Sequence, residues 1–213
     1  MGGRRHSASR PAGPAPPNLS LPRAARRGQM MSEEIDPIED RYSAIHEAGH
    51  AIAAVLLDLG LRDVSIGKRR LPNGMLIGGD FRWAGVALED LAGKGDMAIP
   101  PMTLYLAGPV AEFRINPSPL DPNVSDDFHR ALEMAEHAAG EVTDLGQGHF
   151  QIATTTSAKM AIYAKGRGAA GALVDEHWPT IEALADLLQA RRTMTGQEVY
   201  VFIRDRDRPD QDG

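Results

Sequence analysis

The chain contains no cysteine, which excludes disulfide scaffolds, thiolate metal sites and cysteine nucleophiles together. Any metal must be held by histidines and carboxylates. Aromatic residues make up only 5%, so a core has to be built from Leu, Ile, Val, Ala and Met. No stretch reaches the roughly 18 consecutive apolar residues that a membrane span requires, and the longest apolar helical pattern is interrupted by Asp58 and Gly60. A soluble, cytoplasmic protein without a membrane span is expected. Residues 1–30 contain no acid but six arginines, Arg4, Arg5, Arg10, Arg23, Arg26 and Arg27, and five of the 15 prolines. That composition cannot bury enough apolar surface to fold. It also lacks the apolar segment of a secretory signal. The remainder of the chain has 17 basic residues against 29 acidic ones, a net of −12. So acidic a body lacks the basic face that nucleic-acid binding requires.

At 213 residues, with 42% hydrophobic and 24% charged, the chain has ordinary globular usage. The expected organisation is a basic, disordered Pro/Arg-rich tail over residues 1–31, one folded domain over 32–205 and a short acidic tail over 206–213. Within the domain, residues 42–59 read as a helix because Ile45, Ala48, Ile52, Val55 or Leu56, and Leu59 recur at three- and four-residue intervals, with Gly60 as its stop. Residues 62–67 and 75–81 read as strands around the Pro72-Asn73-Gly74 turn. The second of these strands could take an extended peptide at its edge or serve as an ordinary sheet strand. Residues 84–100 give no clear pattern. Residues 103–114 form a second apolar helix with Gly108-Pro109 as a kink or close-packing point. Ser125 is placed to cap a helix from Asp126 to about Ala139. Further helices are expected over roughly 154–165 and over 173–192. The fold class is mainly α with a small hairpin or sheet.

One motif carries chemistry: His46-Glu47-Ala48-Gly49-His50. Residues four apart on a helix share a face, so both imidazoles can reach one ion with Glu47 beside it. Zinc accepts neutral imidazoles tetrahedrally and lowers the pKa of a bound water, whose proton the carboxylate can take. The pattern arises by chance in roughly one chain of this size in a hundred. A packed pair of core histidines is the plain alternative, but an apolar helix would place Leu or Ala at those positions. The extended pattern with a third histidine is absent, since Ala53 and Leu56 occupy its places. A third ligand must come from elsewhere, and spacing alone leaves Asp126, Asp127, His129, Glu133 and Glu136 open. His129, Glu133 and His137 also share helical spacing, which fits a solvated face better than a second metal site.

The segment Tyr42-Ser-Ala-Ile-His-Glu-Ala-Gly-His-Ala51 resembles the active-site helix of the FtsH-type zinc metallopeptidases, the protease part of membrane-anchored AAA proteases. Leu104-Tyr-Leu-Ala-Gly-Pro-Val-Ala-Glu112 is similar to a second helix of that family. Val124-Ser-Asp-Asp-Phe-His-Arg-Ala131 is similar to its third-ligand segment, and residues 181–188 with Met194-Thr-Gly-Gln-Glu-Val199 to its terminal helix and turn. The four segments stand in the family's order and cover about residues 40–200.

The resemblance implies a zincin-like metalloendopeptidase of unfolded proteins or peptides, in which His46, His50 and Asp127 bind Zn2+ and Glu47 is the general base. It also implies a ring of subunits. The sequence contains no G-x-x-x-x-G-K-[ST] phosphate loop, so an unfoldase would have to be a separate AAA partner and ATP dependence is not implied. Pro109 and the Pro-rich segment 115–123 depart from the family pattern. Two other readings compete: a small regulator-cleaving HExxH peptidase with Glu133 or Glu136 as third ligand, and a non-catalytic zinc-bound adaptor. The adaptor has no chemical need of Glu47.

Overall fold

The structure is a computed structural model that describes residues 37–70, 76–117, 126–146 and 149–206. Helix α1 (Pro37–Leu56) opens on a proline, whose fixed φ and missing N–H suit a first helical turn. It ends earlier than Gly60. Asp58 takes the left-handed conformation at φ 54°, Leu59 N–H donates to the Ala54 carbonyl at 2.9 Å and Asp58 N–H to the Val55 carbonyl at 3.2 Å. These two bonds close the last turn, and aspartate tolerates the conformation that glycine usually supplies there. Strands β1 (Leu61–Arg70) and β2 (Leu76–Trp83) follow as an antiparallel pair with Val64 opposite Phe81 and Ile66 opposite Gly79. The turn expected at residues 72–74 lies outside the described residues, as do Ser125 and the tails before residue 37 and after 206.

Residues 84–100 hold a four-residue helix, α2 (Leu88–Leu91), and a single 3-10 turn at Gly95–Ala98. Both are too short for periodicity to register. Helix α3 (Ile99–Ile115) carries prolines in its first turn and Pro109 in its interior. Helix α4 (Asp126–Ala139) begins with two acids at the positive end of its dipole. A second hairpin, β3 (Glu141–Gly146) and β4 (His149–Ala153), was not expected from sequence.

Helix α5 (Thr156–Glu176) is capped by Thr155 Oγ, which accepts from Ala158 N–H at 3.1 Å. The helices expected over 154–165 and 173–192 divide elsewhere: α5 runs to Glu176 and α6 spans Trp178–Arg191. His177 breaks the helix at φ −106°, ψ 17°, because Pro179 has no N–H with which to continue it. Strand β5 (Thr193–Thr195) then leads into α7 (Gly196–Arg206), a helix not expected from sequence. It is held by a reciprocal cap: Glu198 N–H donates to Thr195 Oγ at 3.3 Å, and Thr195 N–H donates to Glu198 Oε2 at 2.8 Å.

The sheet order is β2-β1-β5, so β2 is an edge strand. The mainly helical fold with a small antiparallel sheet is therefore as expected. No helix among the described residues is long and apolar enough to cross a membrane. The main core surrounds α1, whose Ala44, Ile45, Ala48, Ala51, Ile52, Ala53 and Ala54 are wholly buried. They pack against Leu104, Ala107 and Ala111 of α3, Val64 and Ile66 of β1, and Ile181, Leu184 and Leu188 of α6. The many alanines and few aromatics let helical backbones approach closely.

One such approach, between α1 and α3, is at Gly49. A Cβ there would stand 2.6 Å from the Ala107 carbonyl oxygen and 3.1 Å from the Ala111 Cβ. Backbone cannot move aside as a side-chain tip can. Gly49→Ala should therefore destabilise the protein by about 1–3 kcal/mol, the usual cost of overpacking, measured as a lowered urea midpoint. An unchanged midpoint would show that α1 and α3 separate at no cost.

Candidate metal centre

His46 and His50 lie one turn apart on α1 and face α3 and α4. His50 is buried, and its Nδ1 lies 2.8 Å from the Leu104 carbonyl. A carbonyl can only accept, so Nδ1 carries the proton and Nε2 of the neutral ring presents a lone pair. His46 is arranged the same way. Its Nδ1 donates to Glu112 Oε2 at 2.9 Å, leaving Nε2 facing inward. The two Nε2 atoms are 3.0 Å apart. Asp127, in the first turn of α4, brings Oδ2 to 3.1 Å from His46 Nε2 and 3.5 Å from His50 Nε2.

Three acceptor atoms thus converge on one point, an arrangement that is costly unless a cation sits among them. Tetrahedral ligands at zinc–nitrogen distances of about 2.0–2.1 Å stand roughly 3.3 Å from one another, and the observed edges bracket that value. His46, His50 and Asp127 could hold a metal ion, and they are the one group of three such side chains found to do so among the described residues. The other third-ligand candidates lie elsewhere. Asp126 and His129 are exposed, Glu133 pairs with Arg130 at 3.0 Å and Glu136 with Lys159 at 2.7 Å. His137 Nδ1 lies 2.9 Å from the Glu133 carbonyl, one turn back along α4.

The framework fixes each ring. Phe81 of β2 stacks on His50 with centroids 4.1 Å apart and planes at 21°. Phe81 is in turn packed edge-on against Tyr105, which also meets Trp83. Beneath His50 lies Gly108, where a Cβ would fall 2.6 Å from the ring carbons. Gly49 and Gly108 are thus reciprocal: the first lets the backbones meet, the second leaves room for the ring.

Glu47 lies against Gly79 of β2 and is 6% exposed. Its Oε2 is buried with no hydrogen-bond partner. Burial pushes the Glu47 carboxyl up, opposed by the charges of His46 and His50 and reinforced by Asp127 and Asp80. Burial alone would lower His46, but its hydrogen bonds with Asp127 and Glu112 prevail and hold it up to about 10. Burial would raise Asp127, yet its interactions with His50 and His46 keep it well below the usual carboxylate range. A proton shared between His46 and Asp127 is how the metal-free site satisfies its converging lone pairs.

Glu112 is the participant that ligand spacing missed. It appeared only as the last residue of a matched helix, although an acid on so apolar a helix, eight residues after Leu104 and four after Gly108, was a usable signal. The chain matches no known protein family and no curated protein.

Two outcomes follow from this geometry. Glu112→Gln should weaken metal binding about 10–100-fold, the usual effect of removing a partner that orients a ligand histidine, as read by competition with a chromophoric chelator. An unchanged affinity would mean that the Glu112 contact orients nothing. The second outcome concerns protons. In the metal-free protein the stabilisation from protonated His46 is complete below the ordinary histidine value of 6.5 and is lost as pH rises through about 10. Zinc binding near neutral pH must therefore expel that proton. Calorimetry in buffers of different ionisation enthalpy should register the release, and the release should disappear in His46→Ala.

Proposed function

We propose that this chain is a zinc-dependent metalloendopeptidase that cleaves unfolded proteins or peptides, a reading supported by its resemblance to the FtsH-type peptidases. The observation that carries it is Glu47: a buried carboxylate whose Oε2 has no hydrogen-bond partner, one residue from His46 on the helix that supplies two converging imidazoles. A stabilising role would demand that the carboxylate be paired, since an orphaned buried oxygen costs about 1–3 kcal/mol. Such a cost is retained where the group has work to do on something that binds.

His46, His50 and Asp127 would hold the zinc, which when bound supplies Lewis-acid chemistry by acidifying a water and polarising the scissile carbonyl. Glu47 accepts the proton of the attacking water and delivers it to the departing amine, and its raised pKa brings both transfers nearer neutral pH. Glu112 and the Leu104 carbonyl hold the imidazoles in the tautomer the ligands require. An extended substrate has a place to lie. The outer edge of β2 is unpaired by any described strand, and the same strand brings Gly79 against Glu47 and Phe81 against His50. A peptide added there as a further strand would run beside the site.

Two histidines and one carboxylate also suit the iron of oxygenases. That chemistry needs no proton acceptor at position 47, so Glu47 favours hydrolysis. The Glu-ligand peptidase is weakened by the ion pairs that occupy Glu133 and Glu136. By resemblance, subunits would form a ring and a separate AAA unfoldase would deliver folded substrates, so the chain alone would act without ATP.

The test is metal content together with hydrolysis of casein, without ATP. Wild type should contain zinc and cleave. Glu47→Ala should keep the zinc and lose at least about 100-fold in kcat, the share of a general base. Asp127→Ala should lose both. Zinc without cleavage by wild type would overturn the peptidase in favour of the adaptor, and iron in place of zinc would overturn both.

A further inference from the structure

Gly79 stands in the middle of β2, opposite Ile66, with φ outside the left-handed region. The register shift beside it, between Ile66 and Arg69, places its extra residue on β1, where Gly67 takes the positive φ, so it does not call for glycine at position 79. Glycine inside a strand weakens it, and where one occurs it marks a bulge or a place where another group must come close. The group here is Glu47. A Cβ built on Gly79 would collide with Glu47 Oε1 and stand 2.5 Å from its Cγ and 2.7 Å from its Cδ. The whole end of the carboxylate side chain therefore lies flat on the strand's backbone, in the volume that any other residue would fill. Two residues on, the same face of β2 presents Phe81 to His50. One strand thus touches the His50 ring with an aromatic side chain and the carboxylate with bare backbone.

We infer that Gly79 is a positioning residue for the proton acceptor: by leaving bare backbone beneath Glu47 it fixes where the carboxylate sits relative to the His46–His50–Asp127 centre. The inference rests on the peptidase reading. A methyl group at position 79 would meet a flexible side chain, which can swing away at little cost to the fold. The consequence falls on catalysis, because a carboxylate displaced by about 1 Å can lose on the order of 100-fold in rate.

The experiment compares wild type, Gly79→Ala, Glu47→Ala and the double variant, zinc-loaded, on fluorescently labelled casein. Gly79→Ala should keep its zinc and its KM and lose kcat by about tenfold or more. Alanine at position 47 lacks the Cγ, Cδ and Oε1 that the new methyl would meet, so adding Gly79→Ala to Glu47→Ala should change the residual kcat less than about twofold, a non-additivity expected only of residues in contact. Equal losses in both backgrounds would overturn the inference, as would loss of zinc or a raised KM with kcat preserved, since the strand would then act on the ligands or the substrate. If Gly79→Ala lowers the unfolding midpoint instead, Glu47→Ala must restore it, and failure to do so also overturns the inference. Absence of hydrolysis by zinc-loaded wild type removes the peptidase reading and this inference with it, whereas an active wild type matched by Gly79→Ala removes the inference alone.

Discussion

At Gly49 the backbones of α1 and α3 close until a Cβ there would stand 2.6 Å from the Ala107 carbonyl oxygen, at Gly108 the bare backbone of α3 makes room for the His50 ring, and the candidate metal centre depends on both. His50 can reach the Leu104 carbonyl only because Gly108 leaves its ring a bed to lie in. Glu112, one turn beyond Gly108 on the same face of α3, is thereby brought to His46. A single helix–helix contact thus orients both imidazoles, each through a hydrogen bond at Nδ1. Pro109 fits the same scheme. It removes one N–H from the ladder of α3 beside the place where a carbonyl is drawn toward a side chain of α1.

The converging lone pairs make the site an electrostatic liability that the fold has to hold in place. Water cannot relieve them well, because His50 is 1% exposed and His46 and Asp127 are mostly covered. The remaining solutions are a proton or a metal ion. The proton satisfies one edge of the triangle, between His46 and Asp127, and leaves His50 Nε2 facing another acceptor. A cation with three open positions satisfies all of them. Such sites persist only where the surroundings over-determine their geometry, and here α1, α3, α4 and β2 each contribute a constraint.

Much of this was legible because helical periodicity reports burial. α1 buries Ile45, Ala48 and Ile52, and α3 buries Leu104, Leu106, Ala107 and Ala111, residues whose spacing marks the two helices, and the motif on α1 implied a shared face for His46 and His50. What escaped reading had physical reasons. The β3–β4 hairpin is short, and its Val142 and Leu145 are exposed, so no buried alternation was written into it. The division between α5 and α6 is invisible to periodicity because Val174 before the break and Ile181 after it both enter the same core. Helix α7 is specified by its Thr195–Glu198 cap more than by its apolar stripe. In the site, spacing could not choose among five third-ligand candidates, since choosing needs the angle at which α4 crosses α1. The resemblance favoured Asp127, the residue that the structure brings to both imidazoles.

The edge strand shows where demands of fold and site part company. For sheet stability β2 would be better with a β-branched residue at position 79, which would pair with Ile66 across the ladder and cover α1. That residue would drive Glu47 from its place. For burial, Glu47 itself would be better replaced by an apolar side chain or given a partner, since its buried Oε2 accepts no hydrogen bond from the protein. Each position is locally suboptimal, and each is explained by the other: the bare backbone accommodates the carboxylate, and the carboxylate fills the space the glycine leaves. Two adjoining departures from what a stable core prefers, both facing a cluster of converging ligand atoms, are difficult to account for by stability. They make sense under the peptidase proposal, in which that carboxylate is held in one place with its Oε2 kept for a group that binds beside it.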